Sequence, residues 1–202
     1  MTTTKLKSKL TFEEFITQLP DEEYRYELID GEIVRSLPTR QHETIAEHIT
    51  DLFKEEVKRA SLNYWVSGRI VIKTITENSK EQGRHPDVTV VNKTLWESYP
   101  TSYAALTDPP QIAVEVVSTN WEDDYVDKFA EYQRFGIAEY WIVDYLAIAS
   151  RYYLGNPKEP TIFVCVLDDQ GTYQMNAYRG DDEIISPTFS ELKVTAKQIF
   201  CA

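Results

Sequence analysis

Two carboxylates stand where a carboxylate is costly. Asp87 follows His85-Pro86 and precedes the apolar run Val88-Thr89-Val90-Val91; Glu115 lies inside Ile112-Ala113-Val114-Glu115-Val116-Val117. An ionised acid in such surroundings must be paired, hydrogen-bonded or bound to metal. Two acids at the ends of neighbouring strands can share one hard cation. Mg²⁺ suits them, with Mn²⁺ able to substitute, because it takes one or two carboxylates and leaves its other positions to water and substrate phosphate. Such an ion polarises a phosphoryl oxygen and lowers the pKa of an attacking water. Each acid alone also has a plainer reading. Asp after Pro often only forms a turn, and a buried Glu often pairs with a neighbouring Arg or Lys.

Further candidates lie on helices. In DDYVDKFAEYQRFG (123–136), Asp124, Lys128 and Tyr132 recur at i, i+4 and i+8 and so share one face. If that helix packs over the strand carrying Glu115, Lys128 reaches the acids; otherwise it is a solvated partner of Asp124. Tyr132 reads as packing more readily than as a phosphate contact. Arg69, Lys73, Arg84 and Arg134 are candidate phosphate contacts, though singly they are ordinary surface charges.

The elements that must position these residues follow from pattern. Thr11 and Glu14 form a capping box opening a short helix that ends near Leu19-Pro20. Asp30-Gly31 sits between two strand-like runs in YRYELIDGEIVRSL, a hairpin signal. From about Arg40 to Ala60 the period turns helical, with Ile45, Ile49, Leu52, Phe53 and Val57 in one stripe. His42 falls in that stripe and Glu43 at its border. Strand-like runs then occupy 64–75, 85–91 and 111–117, the last apolar enough to be central and buried on both faces. Gly136 ends the 123–136 helix, and Glu139-Tyr140-Trp141-Ile142-Val143-Asp144 reads as another buried strand, its aromatics packing in the core. ASRYYL, TIFVCVL, TYQMNAY and DEII read as short antiparallel strands, with turns at Gly155-Asn156-Pro157 and at 168–171. The expectation is an α/β (α+β) fold: a mixed sheet with a helix on each face and an antiparallel meander at the C-terminal end. Residues 1–10 read as a mobile arm and 11–202 as a single domain.

Composition narrows the partners. The 202 residues are 42% hydrophobic and 27% charged, ordinary globular values. No apolar run approaches the roughly 20 residues of a membrane span. The basic start MTTTKLKSKL lacks the apolar stretch of a secretory signal, and Cys165 and Cys201 have no metal-ligand spacing. A reducing, cytoplasmic setting is expected. The net charge of −12 argues against broad attraction to nucleic acid, so any such binding must come from a local site.

With these residues in place, the chain resembles the Uma-two family of endonuclease-like proteins, within the PD-(D/E)xK restriction-endonuclease-like superfamily. The matching residues are Pro86-Asp87, Glu115, Ser118, Asp124, Lys128, Tyr132, Gly136 and Glu139 through Asp144, with YELIDGEIV and His42 upstream. The resemblance implies a restriction-endonuclease-like sheet, DNA as substrate, and in many such nucleases a symmetric dimer. It implies that Asp87 and Glu115 hold the metal. It also implies that Lys128 replaces the motif lysine, whose place two residues after the acid is taken here by Val117. Nucleases of this type often add an acid from the first long helix, which makes Glu43 the candidate accessory ligand, with His42 and Tyr132 as accessory residues. Two readings remain open: a Mg²⁺-dependent endonuclease, or a non-catalytic binding or scaffold protein on a nuclease fold. A nuclease module that depends on a partner protein for DNA recognition is a third.

Overall fold

The capping box forms as written: Thr11 Oγ1 accepts from Glu14 N and Glu14 Oε2 from Thr11 N, opening α1 (Phe12–Gln18). A computed structural model describes residues 9–19 and 24–202, so most of the expected arm lies outside the described residues. Asp30 and Gly31 adopt positive φ, 51° and 81°, as a tight two-residue hairpin demands. They join β1 (Arg25–Ile29) to β2 (Glu32–Ser36). The helical stripe becomes α2 (Arg40–Arg59), whose Ile45, Ala46, Ile49 and Phe53 are buried.

The run at 64–75 divides at Gly68. Its first part is β3 (Tyr64–Ser67) and its second β4 (Val71–Ile75), and they belong to different sheets. A side chain at Gly68 would put its Cβ 2.6 Å from the carbonyl oxygen of Asp87, so the chain must pass there bare. Next come β5 (Glu81–Arg84), β6 (Val88–Asn92), α3 (Lys93–Glu97), β7 (Ala105–Leu106) and β8 (Ile112–Val116). A π-helical turn at Asp123–Asp127 leads into α4 (Lys128–Phe135), which Gly136 ends at φ 92°. Then follow β9 (Glu139–Asp144), α5 (Arg151–Leu154), β10 (Thr161–Leu167), β11 (Tyr173–Tyr178) and α6 (Ala196–Phe200).

The fold is mixed α+β, as the sequence suggests, but the strands form two sheets. One has the order β2-β1-β5-β4-β7 and the other β11-β10-β9-β8-β6-β3. In the second, β8 and β9 run parallel, and β9, β10 and β11 form the antiparallel meander. Strand alternation sets its two faces. Val88, Val90, Val114, Val116, Trp141 and Val143 turn toward α2. Val91, Ala113, Val117, Tyr140 and Ile142 turn the other way, toward α4. By the same alternation Asp87 and Glu115 belong to the α4 face.

Helix α4 is held between the two sheets. Tyr132 packs edge-on against Tyr140 of β9, while Glu131 accepts from Thr74 of β4 and Arg84 of β5. Two expectations in the C-terminal part are corrected. ASRYYL is not a strand: Ser150 takes the N-cap position and 151–154 turn as α5, the adjacent tyrosines having suggested a strand preference that the local turn overrides. DEII contributes only a single bridge, Glu183 to Thr195.

Candidate active site

Asp87 reaches its position because β6 begins beside the end of β8. Its Oδ2 accepts from Val116 N at 2.7 Å. Its Oδ1 accepts from Arg25 Nη1 and lies 2.9 Å from His42 Nε2. It is 5% exposed, so burial pushes its carboxyl pKa upward, but the His42 hydrogen bond, the Arg25 charge and the Val116 amide outweigh that and hold it below the usual range.

Glu115 has the opposite balance. Lys128 Nζ lies 2.9 Å from Oε2, and Tyr132 donates to Oε1 at 2.6 Å. Burial raises its pKa most; Lys128 opposes this, but Asp87, Asp124 and Glu27 add repulsion, and the carboxyl ends well above its ordinary range. Lys128 is itself buried, 7% exposed, with Asp124 at 3.1 Å and Glu27 at 3.7 Å. Burial alone would neutralise it, yet the carboxylates of Glu115, Glu27 and Asp124 keep it an ammonium. Burial pushes Asp124 up to about 6 against the pull of Lys128.

Four carboxyl groups (Glu27, Asp87, Glu115 and Asp124) thus face two cations, Arg25 and Lys128, with burial holding Glu115 toward its protonated form. Arg84 also approaches Glu27, at 3.6 Å, but its guanidinium is matched by a two-pronged bond to Glu131. The acids form the floor of a cavity of about 370 Å³, walled by the β1–β2 hairpin and by the loop after β8.

The structure brings together Asp87, Glu115, Lys128, His42 and the hydroxyl of Tyr132, and it places the other candidates apart from the two acids. Glu43 points to Arg25, at 3.4 Å, with its side chain 39% exposed, and touches neither acid. Tyr132 is fully buried with its hydroxyl on Glu115, so it is no phosphate contact. Arg84 is buried among Glu131, Glu27 and Asp123, Lys73 pairs with Glu81, and Arg134 donates to Ile75 O. None of these, nor Arg69, lines the cavity; Arg25 and Arg35 do. Arg25 carries no signal of its own in the sequence, and Glu27 stands out there only within the matching string YELIDGEIV. Their signal was alternation: Tyr26 and Leu28 are buried on one side of β1, which turns 25 and 27 to the other.

Buried acids and an ammonium thus lie under one cleft of a mixed α+β fold. A crystal structure described as a putative nuclease belonging to DUF820, from Anabaena variabilis ATCC 29413, shares this fold with a TM-score of 0.67. The likeness covers 95% of this chain and 98% of that one at 20% identity. The chain belongs to the Uma2 family, described as "Putative restriction endonuclease", whose model matches residues 12–197. No curated protein matches it.

Proposed function

We propose that the protein is a Mg²⁺-dependent endonuclease that hydrolyses phosphodiester bonds in DNA. The observation that carries this reading is the pairing of Asp87 and Glu115 on one sheet face, at the floor of a cavity, beside a buried ammonium. The donor set fits a hard divalent cation: two buried carboxyl groups on one sheet face, where the cation's charge would favour the ionised form of Glu115. Among the described residues no three His, Cys, Asp or Glu side chains form a metal cage by themselves. Asp87 and Glu115 would therefore hold the ion with water and the substrate phosphate completing its shell. When bound, the cation supplies Lewis acidity, polarising the phosphoryl oxygen and easing ionisation of the attacking water.

The other roles belong to side chains. Lys128, kept protonated by its carboxylates, is a donor: it orients the water and stabilises charge on the phosphate as one P–O bond forms and the other breaks. Tyr132 fixes Glu115, and His42 fixes Asp87. DNA as the substrate is supported by the family's description as a restriction endonuclease; a symmetric dimer as the working form and a cytoplasmic setting are further parts of the same proposal. Among the described residues no helix is long and apolar enough to cross a membrane.

A second reading, a non-catalytic nuclease-fold binding protein, draws support from Val117, which is buried and apolar where the superfamily motif has lysine. Calorimetry with Mn²⁺, followed by cleavage assays on several DNA forms, separates the two. Asp87→Ala should lose metal binding and cleavage together. Wild-type protein that binds Mn²⁺ yet cuts no DNA form would favour the second reading, and absence of Mn²⁺ binding would remove the first.

A further inference from the structure

Both oxygens of Asp87 are in use. Oδ2 accepts from the Val116 amide, and Oδ1 meets the Arg25 guanidinium and the His42 ring. A divalent cation and a guanidinium on the same buried oxygen repel each other in a medium that screens poorly. One must leave. Arg25 has somewhere to go: its Nη2 already lies 3.4 Å from Glu43, whose side chain is 39% exposed, and Arg25 itself lines the open cavity. Lys128, by contrast, is enclosed by three carboxylates and can stay beside Glu115 through its contacts with Glu27 and Asp124.

We infer that Arg25 and the divalent cation compete for Asp87 Oδ1, and that Glu43 is the carboxylate that takes the guanidinium when the cation enters. This rests on the two-acid cation site proposed above. It gives Glu43 a role through Arg25, in place of direct ligation. In the cation-free protein Arg25 compensates the Asp87 charge, so the cation arrives by exchange and part of its binding energy goes into displacing an ion pair. The displaced guanidinium remains on the cavity wall, where an entering phosphate needs a cation.

The test is Mn²⁺ calorimetry on four chains: wild type, Arg25→Ala, Glu43→Gln and the double variant. Removing Arg25 should tighten Mn²⁺ binding by about tenfold or more, since a buried charge partner no longer competes. Glu43→Gln should weaken binding when Arg25 is present, because the guanidinium loses its alternative partner, and should have no effect in the Arg25→Ala background. Weakening of equal size in both backgrounds would make Glu43 a direct ligand and overturn the inference. Equal or weaker Mn²⁺ affinity on loss of Arg25 would also overturn it, while leaving the two-acid site intact. No binding by any of the four chains would overturn both. Arg25→Met keeps the bulk of the stem and carries the same expectation if the alanine variant does not fold.

Discussion

Lys128 is the residue on which hydrolysis and simple ion pairing make different predictions. It touches Glu115 and Asp124 and lies near Glu27, so its removal leaves two buried acids and a half-buried one short of one cation. Lys128→Ala should keep or tighten Mn²⁺ binding while lowering DNA cleavage by about 10²-fold, the scale of a positioned electrostatic group. Cleavage equal to wild type would assign it a purely structural role. Asp124 gives a second test, in chelator. Its carboxyl is raised from 3.8 to about 6, so the folded state binds its proton more tightly than the unfolded state does. That contribution to stability is complete below pH 3.8 and is lost as pH rises through about 6. Asp124→Asn should remove this slope, an effect of up to roughly 3 kcal/mol, read from denaturant unfolding between pH 4 and 7. Parallel pH profiles for the two proteins would contradict it. At this scale the acids were legible because apolar neighbours made them anomalous. Arg25 and Glu27 were not, since a polar residue at every second position of a hairpin looks the same whether it faces solvent or a cleft. His42 and Glu43 show the same limit: adjacent positions on one helix edge, of which the fold turned the histidine to Asp87 and the glutamate to Arg25.

Elements with a strong period were readable. α2, the Asp30-Gly31 hairpin, β8 and β9 all lie where stripe, turn chemistry and unbroken apolar runs put them. β5 was not readable, because Glu81-Gln82-Gly83-Arg84 carries no apolar signal; its buried Arg84 is held by ion pairs that only tertiary structure supplies. The split of 64–75 between two sheets was hidden for a related reason. The division falls at Gly68, which passes close to the Asp87 carbonyl, a contact between segments distant in sequence. Gly68→Ala tests that contact. The added methyl meets backbone and not a yielding side chain, so it should cost about 1–3 kcal/mol of stability. It should also weaken Mn²⁺ binding by displacing Asp87. Thermal denaturation and calorimetry on the same sample check both, and a variant with wild-type values in each would show that the backbone gives way freely.

Across the whole molecule the charge of −12 sets the terms on which the proposed DNA substrate could bind. Of the basic residues, Arg25, Arg35 and Lys128 line the cleft, Lys128 already matched by its carboxylates, and Arg35 also stacks over Tyr24. Binding through about two or three phosphate contacts should fall roughly tenfold to a hundredfold between 50 and 200 mM salt, as counterion release requires. Duplex binding that is tight and indifferent to salt, measured by fluorescence anisotropy, would rule out this mode. The site is drawn from β1, α2, the segment before β6, β8 and α4, so no short stretch of chain contains it. That dispersal has a consequence for a protein being made on a ribosome. Arg25, Glu27, Asp87 and Glu115 all emerge before Lys128, and α4, which also bonds to β4 and β5, gains its packing against Tyr140 only when β9 follows it. A nascent or truncated chain therefore carries these carboxylates without their ammonium, so under the proposed function cleavage would have to wait until Lys128 and β9 have been made.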